Sequence, residues 1–527
     1  MIPSPRDFSI PFDRFRPYQY ESCVWAQEHP DISIMQAATG SGKSIVPAYL
    51  SNFGRTVVLT RTKALQQQYK ETLNADILMG RANYPCVHPE NKGRTCDDCL
   101  FADEGMHRCP HSHDCVYLYY KHQALGTNFA CVNYAYWLSS PRFRQSKIEY
   151  LVLDECHLLP DICLEWVGST FHAITRAEYG LPRFPRIGTA NAAGRGSALD
   201  WVSATQDVLR GEYKRLSRNA KDNAKRMRKV ERMGYNLGAC MEGMSASSAA
   251  WYIKSGPGVA YYRGAPRPGI VIRPLTAKYH FGRLFLGEWK TLLMSATVGD
   301  FQTFSEELGI QDPLTRRVPS NFPPSTRPIY ILDAPKMSHK SKQEDYDRQA
   351  SEIARAIRRA PQNWSGFIHV TRKTESRLLG ERLEKHGLSG RLWVPPLKDR
   401  RGKFLGTNEQ LEMWNKWRDD YPGSIAVSWQ FWEGVDGLNE KICGVAKIPF
   451  PFLGDPYEQA RMKYSHRMYN QRTAWMLQQS LGRTRRGRPQ DYDTEDEMRG
   501  MVFIADGNYT RVKSYIDTDF LESMVKI

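Results

Sequence analysis

A phosphate-binding loop near the start of the chain constrains the fold more than any other feature. The loop, AATGSGKS, follows the apolar run from Ile32 to Met35 and precedes the apolar run from Ile45 to Leu50. Proteins that bind nucleoside triphosphates use such a strand–loop–helix unit, because its glycines aim backbone N–H groups at phosphate oxygens. Only Ala37, in place of the first glycine, departs from the usual GxxxxGK[ST] pattern. The sequence therefore predicts an α/β protein built on this unit.

The side chains of the loop predict a site for ATP and Mg²⁺. Lys43 is expected to reach the β- and γ-phosphates, and the Ser44 hydroxyl is expected to ligate Mg²⁺. The predicted nucleotide-binding residues of the loop are Ala38, Thr39, Gly40, Ser41, Gly42, Lys43 and Ser44.

Two acidic residues follow a second apolar run, Leu151 to Leu153. Asp154 and Glu155 then lie at the carboxyl end of a buried strand, the edge at which open α/β sheets bind ligands. Asp154 is expected to hold Mg²⁺ through water, and Glu155 to polarise the attacking water. Together with the phosphate loop, the pair predicts an ATP hydrolase.

Later motifs predict a second lobe that closes on the nucleotide. The segment SAT, from Ser295 to Thr297, offers small hydroxyl residues that can link the two carboxylates to a neighbouring surface. On a helix, Arg483 and Arg486 of QQSLGRTRR are neighbours on one face. We expect both to act catalytically, as arginine fingers on the γ-phosphate.

The order of these motifs resembles that of the superfamily 2 helicases, in particular the XPD/DinG-type iron–sulfur DNA helicases. The matching segments are RPYQ (16–19), VVLTRTKALQQQY (57–69), GRANYPC (80–86), DECH, SAT, GFIHVTR (366–372), FWEGVD and QSLGRTRR. The resemblance implies two RecA-like P-loop NTPase lobes with an inserted iron–sulfur domain and an inserted helical arch domain. It also implies that Gln19 contacts adenine and that Glu433, Asp436 and Gln479 complete the nucleotide site. Cys156 departs from the family, most of which has Ala there.

Five cysteines are crowded into residues 84–115, between the phosphate loop and the acidic pair, at Cys86, Cys96, Cys99, Cys109 and Cys115. The resemblance implies that four of them hold a [4Fe–4S] cluster, with Cys86 the first ligand and Cys115 the last. XPD-like spacing favours Cys96 and Cys99 for the remaining places, whereas DinG-like spacing favours Cys109. Zinc is the alternative, because the CxxC pair lies near His107, His111 and His113.

The expected domains follow from the same motif order. The first lobe takes residues 1–85, 121–160 and 271–300, the iron–sulfur domain 86–120, the arch-like insertion 161–270, and the second lobe 301–527. Within the insertion, residues 206–233 read as one long basic helix and residues 189–200 as a linker or mobile loop. Strands of the second lobe are expected at 367–370, 425–427, 445–448 and 502–505.

The charge of the chain favours a polyanionic partner. The formal net charge is +16, and each phosphate contact releases condensed counterions, although such a charge also suits a solvated basic surface. The chain contains no run of about 18 apolar residues, so no membrane-spanning helix is predicted. We expect a monomer in the cytoplasm or associated with the nucleoid.

The predicted function is an ATP-dependent DNA helicase acting on single-stranded and forked DNA, with 5′→3′ polarity implied by the family. One alternative is a translocase or RNA helicase that does not unwind DNA. Another is a nucleic-acid-binding scaffold with a degenerate ATPase. The pathway, whether repair, replication, recombination or R-loop removal, stays open.

Overall fold

The structure is a computed structural model. It describes residues 3–28, 31–38, 40–99, 101, 106, 108–187, 192–246, 250–262, 265–321, 323–326, 328–396, 398, 402, 405–430, 440–482 and 499–526. Six residues named above lie outside these ranges: Thr39, His107, Glu433, Asp436, Arg483 and Arg486.

The first lobe is built on a parallel sheet of seven strands. These are β1 Ile32–Ala37, β2 Thr56–Thr60, β3 Asp76–Leu78, β4 Phe129–Asn133, β5 Tyr150–Asp154, β9 Lys290–Ser295 and β10 Leu314–Val318, with the three strands β6 to β8 lying elsewhere. Their order is β10-β1-β9-β5-β2-β4-β3. Central strands such as TVVLT are buried along their whole length, as both faces of a parallel sheet are covered.

Strand β10 corrects the predicted end of the first lobe. Leu314 to Val318 pairs in parallel with β1, so the first sheet extends beyond the boundary placed at residue 300. The segment LTRRV has no apolar run because it is a half-exposed edge strand. The boundary between the lobes therefore lies after this strand.

The second lobe has a parallel sheet of its own. Its strands are β11 Ile329–Ile331, β12 Gly366–His369, β13 Leu392–Trp393, β14 Ile425–Ser428, β15 Ile442–Val445, β16 Met501–Ile504 and β17 Met524–Lys526, in the order β13-β14-β12-β15-β16-β11-β17. The predicted strand at 445–448 is placed three residues too late, because β15 spans Ile442–Val445 and the chain leaves the sheet after it. The two sheets confirm the predicted pair of α/β lobes.

Helices cover both faces of the two sheets. Those of the first lobe are α1 Gln19–Glu28, α2 Ile45–Leu50, α3 Lys63–Leu73, α4 Val116–Gly126, α5 Tyr134–Ser139, α6 Pro141–Arg144, α11 Phe281–Phe285 and α12 Phe301–Leu308. Those of the second lobe are α13 Gln343–Arg359, α14 Lys373–Leu383, α15 Thr407–Asp420, α16 Pro456–Tyr464, α17 His466–Leu481 and α18 Thr518–Glu522.

The insertion after the acidic pair contains helices and a small antiparallel sheet. Its helices are α7 Leu159–Val167, α8 Ala173–Tyr179, α9 Ala192–Ser217 and α10 Ala220–Ala246, and its strands are β6 Ser169–His172, β7 Trp251–Tyr262 and β8 Ala265–Pro274. The strand order is β6-β8-β7. Helices α9 and α10 pack against each other.

Two sequence predictions in this insertion are wrong. The single basic helix expected at 206–233 is divided between α9 and α10, and at the break the Asn223 side chain donates to the carbonyls of Leu216 and Asn219. Such local bonds compete with helix continuation. The expected loop at 189–200 is helical from Ala192 onward.

Candidate active site

The phosphate loop connects β1 to α2 at the carboxyl edge of the first sheet. Gly40 and Gly42 have φ of 84° and 76°, values that favour glycine. The Ser41 hydroxyl is buried and has no hydrogen-bond partner among the described residues. A buried hydroxyl without a partner suits a loop that receives phosphate oxygens.

Gln19 braces this loop from α1. Its amide donates to the carbonyls of Ser41 at 2.9 Å and Gly42 at 3.1 Å, and its oxygen accepts from the backbone N–H of Arg16 at 2.6 Å. A Cβ at Gly42 would lie 2.2 Å from the Gln19 amide nitrogen, so a larger residue there would displace the Gln19 side chain. Gln19 therefore supports the phosphate loop directly, and its predicted contact with adenine stays a prediction.

Lys43 lies between the two acidic residues. Its Nζ is 3.1 Å from Glu155 Oε1 and 3.6 Å from Asp154 Oδ1. Burial alone would lower the pKa of Lys43, but the two carboxylates outweigh it and raise the pKa above its usual value. Lys43 thus stays charged at the position where a triphosphate would compete for it.

Asp154 is held in place by two tyrosines that were not among the predicted site residues. Tyr69 OH donates to its Oδ2 at 3.0 Å, and Tyr134 OH donates to its backbone carbonyl at 2.7 Å. Burial raises the pKa of Asp154 above its ordinary value although Lys43 opposes this. Tyr69 lies on α3 with Gln66 and Leu73 on the buried face, and this helical spacing was the one available signal.

A chain of hydrogen bonds joins Glu155 to the second lobe. Ser295 Oγ lies 3.2 Å from Glu155 Oε2 and 2.8 Å from His157 Nδ1, and His157 Nε2 is 2.5 Å from the Gln479 amide nitrogen. Burial lowers the pKa of His157 to about 4, so the ring is neutral. The Gln479 amide then donates to Nε2, Nδ1–H donates to Ser295, and Ser295 donates to Glu155.

Glu155 itself has unusual geometry and charge. Its backbone is left-handed, with φ of 55° and ψ of 45°, a strained conformation of the kind that collects at functional sites. Burial would raise its pKa, but Lys43 and His157 outweigh burial and hold the pKa at about 2. Glu155 is therefore an ionised acceptor at neutral pH, as a base that orients water requires.

The loop after SAT is hydrogen-bonded to helix α17 of the second lobe. The Val298 carbonyl accepts from Gln471 at 2.5 Å and from Trp475 at 2.7 Å. Gln36 of β1 accepts from the N–H groups of Val298 and Gly299 at 3.0 and 2.9 Å. Strand β1, which leads into the phosphate loop, and helix α17 of the second lobe therefore both hydrogen-bond to this loop.

A buried ionic junction joins the second lobe to helix α7 of the insertion. Arg461 of α16 lies 2.7 Å from Asp161 of α7 and 3.5 Å from Glu458, and its side chain is 6% exposed. Arg472 of α17 pairs with Glu458 at 2.8 Å and with Asp161 at 3.4 Å. Close by, burial raises the pKa of Glu307 to about 7.

The cysteine-rich segment gathers its thiols. Cys96 and Cys99 are buried, Cys96 hydrogen-bonds the Cys115 side chain, and Cys86 lies within electrostatic range of both Cys96 and Cys99. Cys99 is also in range of Cys109. Burial, reinforced by the neighbouring thiols, raises the pKa of Cys96 to about 12. Within the described ranges, however, no three His, Cys, Asp or Glu side chains form a group ready to hold a metal ion.

Aromatic residues beside the cysteines belong mainly to the core. Tyr117, Tyr134, Tyr136 and Trp137 are buried, whereas the Tyr119 side chain is 57% exposed. In the described part of the chain, no helix is both long and apolar enough to cross a membrane.

Known proteins resemble this chain in sequence and in fold. No family model matches the chain. The ATP-dependent DNA helicase YoaA of Haemophilus influenzae is 24% identical, in an alignment that covers 93% of this chain and 90% of YoaA.

Two solved structures share the fold at 13% identity. Xpd4 of S. tokodaii has a TM-score of 0.53 and matches 97% of this chain and 100% of its own. A structure named XPD helicase has a TM-score of 0.52 and matches 97% and 98%. The comparisons confirm the resemblance predicted from the motifs: this chain has two RecA-like α/β lobes and is similar to the XPD/DinG-type helicases of superfamily 2.

Proposed function

We propose that this chain is an ATP-dependent DNA helicase that moves along single-stranded DNA, 5′→3′, and separates the strands of a forked duplex. The observation that carries the proposal is the hydrogen-bonded chain from Glu155 through Ser295 and His157 to Gln479. A hydrolase alone needs no such link to another lobe. A motor does, because the state of the nucleotide must change the relation between its lobes.

In this proposal the first lobe binds and hydrolyses ATP. Lys43 leaves the carboxylates for the β- and γ-phosphates, while Ser44 and Asp154 hold Mg²⁺, which neutralises the charge that develops on the phosphates. Glu155 accepts a proton from the attacking water. Glu433, Asp436, Arg483 and Arg486 keep their predicted roles in closing the site from the second lobe.

The similarity to YoaA supports the choice of DNA, because YoaA is named as a DNA helicase and the alignment covers 90% of its length. The net charge of +16 fits a polyanionic partner. Operation as a monomer within the cytoplasm or nucleoid is part of the same proposal.

The thiols supply the second part of the proposal. Four of Cys86, Cys96, Cys99, Cys109 and Cys115 would hold a [4Fe–4S] cluster, with zinc the alternative for the same sulfur ligands. Two observations fit an anionic metal–thiolate centre. These thiols interact electrostatically with one another, and the terminal nitrogens of nearby Arg228 are buried without a hydrogen-bond partner among the described residues. When bound, such a cluster carries electrons and braces the fold through its ligands.

The motor is tested with forked DNA, forked RNA and single strands of both, using strand displacement and ATP consumption with wild-type protein and Lys43→Ala. Displacement of forked DNA by wild type alone supports the proposal. ATP consumption without displacement would identify a translocase, and displacement restricted to RNA would identify an RNA helicase. An absence of ATP consumption with any strand would leave a binding scaffold.

The metal is tested by anaerobic purification followed by iron, sulfide and zinc analysis. About four irons and four sulfides per chain are expected for the cluster, and about one zinc for the alternative. Single Cys→Ala variants then identify the ligands. Replacing any of the four ligands should lower the metal content, whereas replacing the fifth cysteine should leave it unchanged.

A further inference from the structure

Helix α10 of the insertion contacts the cysteine-rich segment at a short 3-10 turn, Cys96–Asp98. Lys225 Nζ lies 3.7 Å from Asp98 Oδ1. The two parts are more than a hundred residues apart in sequence, so the contact joins two insertions of the first lobe. Lys225 is largely exposed, and an exposed pair of this kind contributes little by itself.

Arg228, one turn farther along α10, makes the contact unusual. Its side chain lies within electrostatic range of Asp97, Asp98, Cys99 and Arg81. Both terminal nitrogens, Nη1 and Nη2, are buried and have no hydrogen-bond partner among the described residues. A buried donor left without an acceptor destabilises a protein, and charged donors do so most. The position therefore calls for an acceptor that the side chains alone do not provide.

The surroundings select the chemistry of that acceptor. A nucleic-acid phosphate would need access to the nitrogens, and both are closed to solvent. Protonated thiols are weak acceptors. Metal binding changes this, because cysteine ligates as the thiolate and releases its proton. Four thiolates around either Zn²⁺ or a [4Fe–4S]²⁺ core leave a net charge of about −2.

We propose that Arg228 is a positioning residue for the metal centre: its N–H groups donate to the cysteine sulfurs, Cys99 first, so that metal loading fixes α10 against the cysteine-rich segment. The inference rests on the proposed thiolate centre and applies to iron–sulfur and zinc alike. It does not depend on whether the chain unwinds DNA.

The first test compares Arg228→Met, Arg228→Lys and the control Arg232→Met, which removes an exposed arginine from the same helix. Metal is measured per chain after anaerobic purification, and its loss is then followed in the presence of a chelator. Mutation of residues that hydrogen-bond to metal ligands commonly lowers metal affinity by 10- to 100-fold. We therefore expect Arg228→Met to release metal at least about ten-fold faster, Arg228→Lys to fall between, and Arg232→Met to match wild type. Equal release from Arg228→Met and wild type would overturn the proposal.

The second test uses wild-type protein and keeps the inference testable even where Arg228→Met misfolds. Hydrogen exchange is measured along α10 before and after metal removal, with α13 of the second lobe as the internal reference. Protection of α10 is expected to fall on removal while that of α13 is kept. Unchanged protection of α10 would refute the coupling. Wild type that purifies with neither iron nor zinc would refute the centre and this inference together, leaving the helicase proposal intact.

Discussion

The buried junction between the second lobe and helix α7 of the insertion allows a quantitative prediction for Arg461→Met. Removing one partner of a buried ion pair costs about 3–5 kcal/mol. Asp161 is 41% exposed, however, and it keeps Arg472 within 3.4 Å after the change. We therefore expect a cost of about 2–3 kcal/mol in docking of the lobes, a roughly 30- to 150-fold change in that equilibrium.

The control is Arg467→Met, which breaks an ionic contact between the second lobe and helix α12 of the first lobe. Arg467 pairs with Asp300 at 3.2 Å and with Glu306 at 3.3 Å, but its side chain is 50% exposed. Exposed pairs contribute about 0–1 kcal/mol. Burial is thus the main difference between the two variants.

The assay follows urea titration by energy transfer between fluorophores placed at the exposed positions Phe53 and Tyr421, one on each lobe, with circular dichroism in parallel. Arg461→Met should separate the lobes at lower urea than wild type, ahead of the loss of helix signal. An effect below about 0.5 kcal/mol, or one equal to that of Arg467→Met, would refute the argument from burial.

Three further predictions concern the site and its pH dependence. Glu155→Gln should slow hydrolysis by about 10²- to 10⁴-fold while binding of a fluorescent ATP analogue persists; unchanged turnover would exclude Glu155 as the base. Gln479→Ala should lower the DNA-stimulated ATPase rate more than the basal rate, and an equal loss of both would contradict the relay. Glu307 has its pKa raised by burial from 4.5 to about 7, so its stabilisation is complete below pH 4.5 and is lost as the pH rises through about 7. Over that window wild type should lose up to about 3 kcal/mol relative to Glu307→Gln in thermal melts, whereas parallel curves would contradict the assignment.

The parts of the site that follow one another along the chain were predictable from sequence. A buried strand, a glycine-rich turn and a helix occupy consecutive positions, so the start of β1, the bounds of α2 and the position of Lys43 between them follow from local pattern, although β1 continues two residues beyond the predicted end at Met35. The acidic pair was predictable for the same reason, since β5 ends at Asp154.

Contacts between distant segments were not predictable in this way. Tyr69 precedes Asp154 by 85 residues, and no local pattern links the two. Strand β10 is joined to its sheet by backbone pairing with β1 and has no apolar pattern to mark it. The ligand set of the cysteines stays open for a different reason, since metal binding and the geometry of its ligands form together.

The late return of the chain to the first sheet has a practical consequence for dissecting the molecule. A fragment ending at residue 300 would lack β10 and would leave one side of β1 without its pairing partner. Because β1 leads into the phosphate loop, this bare edge would invite association with other strands right beside the nucleotide site. A nucleotide-binding fragment should therefore be cut after Val318.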